Sequence, residues 1–586
     1  MMLSQAPLFG LTMASNSNPV RYQSSLYPSV KPKNISLKQA DSFSVTAAAA
    51  RSIKFGHALQ FGDSQAAQPP PPTGIVNPGK VAAAQNPFSL TVQAPAKVAE
   101  EQFPLKPPNE LKQLFQKNQA IIYALNIRTF GAHDDNKDGH INPELGESGT
   151  FRSAIPKLDE LKNLGVNCIH LLPINPIGEK QRLGEAGSLY APSDLHTINP
   201  EFGTLEDAKA FIKAAHQRGI QVMVDVPSCA STDLADQHPD LIKRDENGNP
   251  RVPTTWKDIQ MFDNGPAVQA YYDPFFSLMA NKVGVDGFRC DVARARDQPF
   301  WKHFTSKYSD KAWLAESYCE EDQSPLQNIP RDTPEKFLTH GFDSIYGQFH
   351  IFPGMTNANE YRDYLLSSHA MFQRAGVLRD NPPKSFIGSF LTHDDPSLMG
   401  KGGALMCILS SGLMTTQPYT NPYILDGFTT GFKGDFDIFR FSPKPTGNDP
   451  EIGRFMKQML DLRKAYEPVF SQGAYIPIPT KGGSNNQIIA FARQTPVEEI
   501  GKNGKPPKTL LIVANKDVNS DESATLTIPG LKENQTLKNL APEYGGLSWM
   551  KASNNRLDVK LSPGRFYVFE INTPDLGKKL ASYSGS

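Results

Sequence analysis

The chain reads as an α/β protein: a (β/α)8 TIM barrel with an inserted rim subdomain after strand 3, followed by a C-terminal all-β sandwich. Three observations predict this. Apolar strand-like runs alternate with amphipathic helical runs from Gln119 onward. Three short apolar runs end in an acid, at Asp291, Glu316 and Asp394, which is what a parallel barrel needs to hold carboxylates at its C-terminal rim. After about residue 470 the helical pattern gives way to short strands separated by turns. The organisation read from this is a low-complexity segment over 1–110, a barrel over 111–470 with an inserted segment at 227–265, and a β-sandwich over 471–586.

Taken in order, residues 1 to about 110 carry Ala47-Ala48-Ala49-Ala50, Pro69-Pro70-Pro71-Pro72 and many Ser, Gln and Asn, a composition that cannot build a packed core. Ala120 to Ile127 predicts a buried strand. Ile155, Leu158, Leu161 and Leu164 recur at helical spacing and Gly165 closes that helix. Asn167 to Pro173 is the next strand. Leu205, Ala208, Phe211, Ile212 and Ala215 mark a second helix, which ends at Gly219 and feeds the strand Ile220 to Asp225. The stretch from Pro227 to Gly265 is irregular and reads as a rim loop or small subdomain. A helix over Val268 to Val283 leads into the strand that ends at Asp291. Further strands are predicted at Phe342 to Ile345, Ser385 to Leu391 and Leu413 to Thr416, and a closing helix at Ile452 to Tyr466. The sandwich strands are Gln487 to Arg493, Thr509 to Ala514, Ala524 to Ile528 and Phe566 to Ile571.

The totals exclude several classes. Among 586 residues, Lys+Arg and Asp+Glu both number 60, so the chain as a whole is not built to bind nucleic acid or an anionic membrane. No uninterrupted apolar stretch looks long enough to span a bilayer, and no basic region precedes an apolar core at the N-terminus. The five Cys (Cys168, Cys229, Cys290, Cys319, Cys407) show neither metal-ligand spacing nor a disulfide framework, which fits reduced thiols in a cytoplasm. Oligomeric state leaves no mark in the composition.

The chemistry concentrates at the strand ends. Arg289 and His393 stand beside two of the three acids, a set suited to glycosidic bond cleavage. A separate loop, His133-Asp134-Asp135-Asn136-Lys137-Asp138-Gly139-His140-Ile141-Asn142, spaces oxygen donors two apart around a Gly, as a loop that wraps Ca²⁺ does. Leu145 stands where a bidentate Glu would complete such a loop, so a polar turn without metal is the competing reading.

These segments, in this order, resemble the α-amylase superfamily, glycoside hydrolase family 13. Gly287-Phe288-Arg289-Cys290-Asp291 resembles its nucleophile strand, Ala315-Glu316 its acid/base strand and His393-Asp394 its third-acid strand. Gly187-Ser188-Leu189-Tyr190 and Val224-Asp225-Val226 resemble the segments around the second and third strands. The resemblance implies a retaining enzyme acting on an α-glucan or oligosaccharide, with Asp291 as nucleophile, Glu316 as general acid/base and Asp394 binding the sugar's 2- and 3-hydroxyls; Asp395 is the alternative third acid. It further implies that Arg289 keeps Asp291 ionised, that the Glu316 carboxyl is raised, and that His393 and Tyr190 line the sugar subsite, Tyr190 by stacking. Asp225 joins that site or only braces the barrel through Arg289. In the metal loop it implies a structural Ca²⁺ held by Asp134, Asn136, Asp138 and Asn142 through side chains and by His140 through its carbonyl.

The sequence departs from the pattern at Cys229 and Ala230, where an Asn and a His are usual, and at Arg294-Ala295, where a Lys-His pair is usual. These changes remove a calcium ligand and a sugar contact. Cys229 followed by Asp233 and His238-Pro239-Asp240 resembles the maltosyltransferase branch. Hydrolysis, glycosyl transfer and a catalytically silent carbohydrate-binding barrel therefore all stand as readings. Trp256, Phe262 and Tyr271 on the inserted segment either stack on sugars or form its core.

Overall fold

The computed structural model describes residues 103–586 apart from 253–256, 319–333, 348, 377–383, 483–485, 497–506, 545 and 584–586. Most of the low-complexity segment, Trp256 and Cys319 lie outside the described residues.

Ten strands are numbered in chain order: β1 Ile122–Leu125, β2 Cys168–Leu171, β3 Gln221–Val226, β4 Cys229–Ser231, β5 Ile259–Met261, β6 Gly287–Cys290, β7 Ala312–Tyr318, β8 Ser344–Tyr346, β9 Ser385–Gly388 and β10 Thr420–Leu425. Eight of them close into a parallel barrel in the order β1, β10, β9, β8, β7, β6, β3, β2. β4 and β5 form an antiparallel pair on the inserted segment instead. Every residue of β1, β2, β3 and β6 is buried, because the outer ring of helices covers one face of each strand and the packed barrel interior covers the other.

The helices form where the periodicity placed them, and local chemistry sets their ends. Leu205–His216 starts with Thr204 and Asp207 exchanging hydrogen bonds in a capping box, and it buries Ala208, Phe211, Ile212 and Ala215 on one stripe. Leu158–Leu164 stops at Gly165, whose φ of 105° lets the chain turn back without a Cβ clash. The helix before β6 is Pro266–Ser277, continued by a π-helical turn over Leu278–Val283.

One predicted strand is corrected. Leu413 to Thr416 is the end of the helix Leu398–Thr416, and the strand that closes the barrel is β10. That helix is buried on all sides from Met406 to Thr416, so its sequence carries no 3.6-residue stripe to mark it as helical. β10 contains Asn421 and Pro422, residues that argue against a central strand, yet both are buried and pair with β9. Leu398–Thr416 is also long and apolar enough to cross a membrane by length and composition, but it is interrupted by Lys401 and by the non-helical Gly402 and Gly403. Here it is packed between the barrel and the helix Pro450–Ala465.

The C-terminal strands form a four-stranded antiparallel sheet (Ala474–Pro477, Ile488–Gln494, Thr509–Asn515, Phe566–Ile571) facing a three-stranded one (Thr480–Lys481, Glu522–Thr527, Arg556–Leu561). Thr509–Asn515 is buried at every position for a visible reason. Leu511 and Val513 point into the sandwich core, while Leu510, Ile512 and Ala514 point into the barrel's core. Buried Arg493 ties the two together by donating to the carbonyls of Thr416 and Gly473.

Candidate active site

Asp225 on β3 and Arg289 on β6 are register partners, so their side chains share the inner face of the barrel. The guanidinium is 1% exposed and acts as the hub of the site. Its NH1 donates to Asp225 Oδ1 and Oδ2 at 2.8 and 3.0 Å and to Asp291 Oδ1 at 2.9 Å. NH2 lies 3.0 Å from Glu316 Oε2, and Nε donates to the Tyr346 hydroxyl at 3.1 Å. One cation thus holds three carboxylates from three different strands.

Asp291 is the first residue after β6, and its N–H donates to the carbonyl of Val226 at the end of β3. Glu316 lies where the β7–β8 register breaks, between Ala315 and Tyr318. Such an irregularity re-aims a side chain, and here the carboxyl is turned onto Arg289. Glu316 Oε2 also accepts the Val292 N–H at 2.7 Å, whereas Oε1 accepts no hydrogen bond among the described residues. Val292 pays a conformational cost for that contact: its φ is 35°, rare for a β-branched side chain.

Asp225 is fully buried and accepts further hydrogen bonds from the Tyr190 hydroxyl at 2.9 Å and from His170 Nε2 at 3.1 Å. Burial raises its carboxyl, but Arg289 and His170 outweigh this and hold it below the usual carboxylate range. Burial lowers the His170 ring, so a neutral imidazole donates to Asp225 from Nε2 and accepts the Tyr423 hydroxyl at Nδ1. Asp225 therefore orients Arg289, which is the bracing role.

Burial raises the Asp291 carboxyl well above its ordinary range; Arg289 opposes this, and the charges of Glu316 and Asp225 add to the rise. Arg289 is shared among three acids, so it does not neutralise any one of them fully.

His393 and Asp394 follow β9. His393 is buried, its ring stacked on Tyr190 with centroids 5.2 Å apart and planes 7° apart, and burial drives its pKa down to about 4. The Tyr190 ring therefore has one face taken by His393 and lies 5.7 Å from the guanidinium carbon. Asp394 is 30% exposed and raised to about 6, chiefly by burial. Asp395 is occupied elsewhere: its Oδ2 accepts from the Thr392 N–H and hydroxyl, both at 3.0 Å, and its Oδ1 lies 3.5 Å from Lys401. Of the two neighbouring acids, Asp394 is the one left for a ligand.

Four contributors were not singled out in the sequence: His170, Ser228, Tyr346 and Tyr423. His170 carried a signal, a polar residue inside the apolar run Cys168 to Leu171. The others lie on elements whose register only the closed barrel defines.

The departures are structural facts as well. Cys229 pairs with Met261 across the β4–β5 ladder, and Met261 packs on Ala295. Burial pushes the Cys229 thiol up to about 12, so it is not a nucleophile. Cys229 packs here with Ala191 and Ile259. Phe262 is core, and Tyr271 packs against His196, His238 and Phe262.

The metal-loop donors come together only in part. Asp134 Oδ1 and Oδ2, Asn136 Oδ1 and Asp138 Oδ1 all turn toward the N–H groups of Asp138, Gly139 and His140. Asn142 Oδ1 instead caps Glu144, and buried Glu147 ties the loop's ends by accepting the N–H groups of Asp135 and Asn142. The donors suit a hard cation in kind but fall short of the six to eight oxygens that Ca²⁺ takes.

Comparison with known proteins agrees with this geometry. A family model described as the alpha amylase catalytic domain matches residues 122–244. An alpha-1,4-glucan:maltose-1-phosphate maltosyltransferase of Myxococcus xanthus is 30% identical over 45% of this chain and 42% of its own length. A cyclomaltodextrinase of Thermoanaerobacter pseudethanolicus is 28% identical over 64% of this chain and 68% of its own. The solved maltogenic α-amylase of Thermotoga neapolitana has the same fold, with a TM-score of 0.58 at 24% identity, covering 78% of this chain and 99% of that one. The chain thus spans about two fifths of the first of these relatives and about two thirds of the second. The closed parallel barrel and these likenesses show the fold of the α-amylases, and residues 122–244 are similar to the alpha amylase catalytic domain.

Proposed function

We propose that the chain is a retaining α-glucan-active glycoside hydrolase that cleaves α-glucosidic bonds by double displacement. One observation carries the reading: a single buried guanidinium bridges Asp291 and Glu316. This keeps the two carboxyl groups close, and a retaining enzyme needs them ~5–5.5 Å apart. The first step requires one of the two ionised and the other protonated. One carboxylate attacks C1 while the other gives its proton to the departing glycosidic oxygen. Asp291 is the attacking group and Glu316 the donor, through Oε1, which accepts no hydrogen bond among the described residues. Glu316 then takes a proton from water, which opens the glycosyl ester and restores the pair. Asp394, next to neutral His393, takes the hydroxyls of the same sugar.

A second reading replaces water by a sugar acceptor at the same intermediate. The maltosyltransferase relative and the altered Cys229–Ala230 corner favour it. The silent-barrel reading is weakened because all three acids face one buried cation or its neighbours. Overnight incubation with maltoheptaose, wild type beside Glu316→Gln and Asp291→Asn, separates these. Shorter products alone mean hydrolysis, longer products as well mean transfer, and both variants should lose either activity by about a hundredfold or more. Turnover unchanged in either variant would sink the mechanism.

We also propose that Asp134, Asn136 and Asp138 hold a weakly bound structural Ca²⁺ completed by water, with no part in the reaction. A melting temperature that rises with CaCl₂ and falls with EDTA supports it; an unchanged one removes it. The four described cysteines are free and buried, which supports a reducing compartment such as the cytoplasm.

A further inference from the structure

Asp291 is gripped from two sides. Arg289 donates to Oδ1 at 2.9 Å, and the Ser228 hydroxyl donates to Oδ2 at 3.0 Å. Ser228 is 2% exposed and lies on the short link between β3 and β4. That link is anchored. Pro227 restricts its backbone, and the Pro227 carbonyl accepts the buried Tyr272 hydroxyl at 2.7 Å. Among the described residues the other polar contact of the Ser228 hydroxyl is the Cys229 sulfur at 4.0 Å, too far to compete with a carboxylate. The chain that supplies Asp225 from β3 to orient Arg289 therefore also supplies, three residues later and on the link beyond the strand, the donor on the far oxygen of Asp291.

We infer that Ser228 is a positioning residue for the nucleophile: its hydroxyl stops the Asp291 carboxylate from rotating about its contact with Arg289 and carries part of the negative charge on Oδ2. This rests on reading Asp291 as the nucleophile. A carboxylate held at one oxygen alone pivots, and the attacking lone pair spends less time on the line to C1. Loss of the hydrogen bond also favours the protonated carboxyl, so fewer molecules are competent at a given acidic pH.

The test compares wild type with Ser228→Ala, Ser228→Thr and Asp291→Asn on an activated maltoside across pH 4 to 8. Ser228→Ala should lose about tenfold in kcat/KM, mainly in kcat, the size expected from one hydrogen bond to a charged group. Its acid limb should move upward by about half a unit or more. Ser228→Thr keeps the hydroxyl and should recover to within about threefold. A merely structural serine would lower the active fraction and leave the limb in place. An independent readout is the infrared titration of the Asp291 carboxylate band, obtained by subtracting the Asp291→Asn spectrum, which should shift upward in Ser228→Ala whether or not substrate turns over. A Ser228→Ala protein within twofold of wild type, with limb and band unmoved, overturns the inference. If Asp291→Asn itself keeps wild-type turnover, the reading of the nucleophile fails first, and the inference falls with it.

Discussion

Replacing Arg289 by Lys keeps the charge and removes the fork. The guanidinium makes three bonds of 2.8 to 3.0 Å to Asp225 and Asp291, one of 3.1 Å to Tyr346 and a 3.0 Å ion pair to Glu316. These partners stand on different edges of a planar group, and an ammonium on a flexible stem reaches only one or two of them. At least one of the carboxylates then faces the barrel interior without a cation. Removing one partner of a buried ion pair costs roughly 3–5 kcal/mol, and the retained charge recovers part of that, so a loss of about 2–4 kcal/mol is expected. Urea denaturation of Arg289→Lys at pH 7 measures it. Activity should shift in the direction set by electrostatics. A cation lowers the proton affinity of the carboxyls, so its displacement moves the acid limb of kcat/KM up by about a unit or more. A variant within about 0.5 kcal/mol of wild type, with its acid limb in place, would refute the argument that one guanidinium holds the three acids.

Other outcomes follow from the same geometry. Asp394, raised to about 6, stabilises the fold on acidification from about pH 6 to 4, while His393, lowered to about 4, destabilises it over pH 6.5 to 4. The two oppose each other, so Asp394→Asn should lose stability more steeply than wild type between pH 7 and 4.5, and His393→Gln less steeply; parallel curves in denaturant would contradict this. Asp395→Ala should cost about 1–2 kcal/mol by releasing the Thr392 turn and Lys401, with kcat/KM within about threefold, whereas Asp394→Asn should lose most turnover. Val292→Gly should gain about 1 kcal/mol, since glycine accepts a φ of 35° and the contact to Glu316 is made by the backbone. A net loss of more than about 1 kcal/mol there would mean that strain is not what Val292 stores.

Much of the site was legible because barrel chemistry sits where strands end, and a strand end is a local event. Asp291, Glu316 and Asp394 each close a short apolar run, and Arg289 lies two residues before Asp291, on the same face of its strand. The helices were legible where one face meets solvent, as in Leu205–His216. The failures share one cause. Met406–Thr416 and β10 are buried on all sides, so neither period shows in their composition, and the apolar run Leu413 to Thr416 reads as the strand it precedes.

By itself the sequence determined which residue types stand at the barrel rim, in what order, and that the Cys229 corner had lost its polar partners. Only the tertiary structure decided how they act together. Register brought Asp225 beside Arg289, the β7 irregularity turned Glu316 onto the same cation, and a Thr392 turn withdrew Asp395 from the site. Protonation belongs to that second group. A carboxyl's charge depends on how deeply it is buried and on which charges face it, and both are set by residues tens of positions away in the chain.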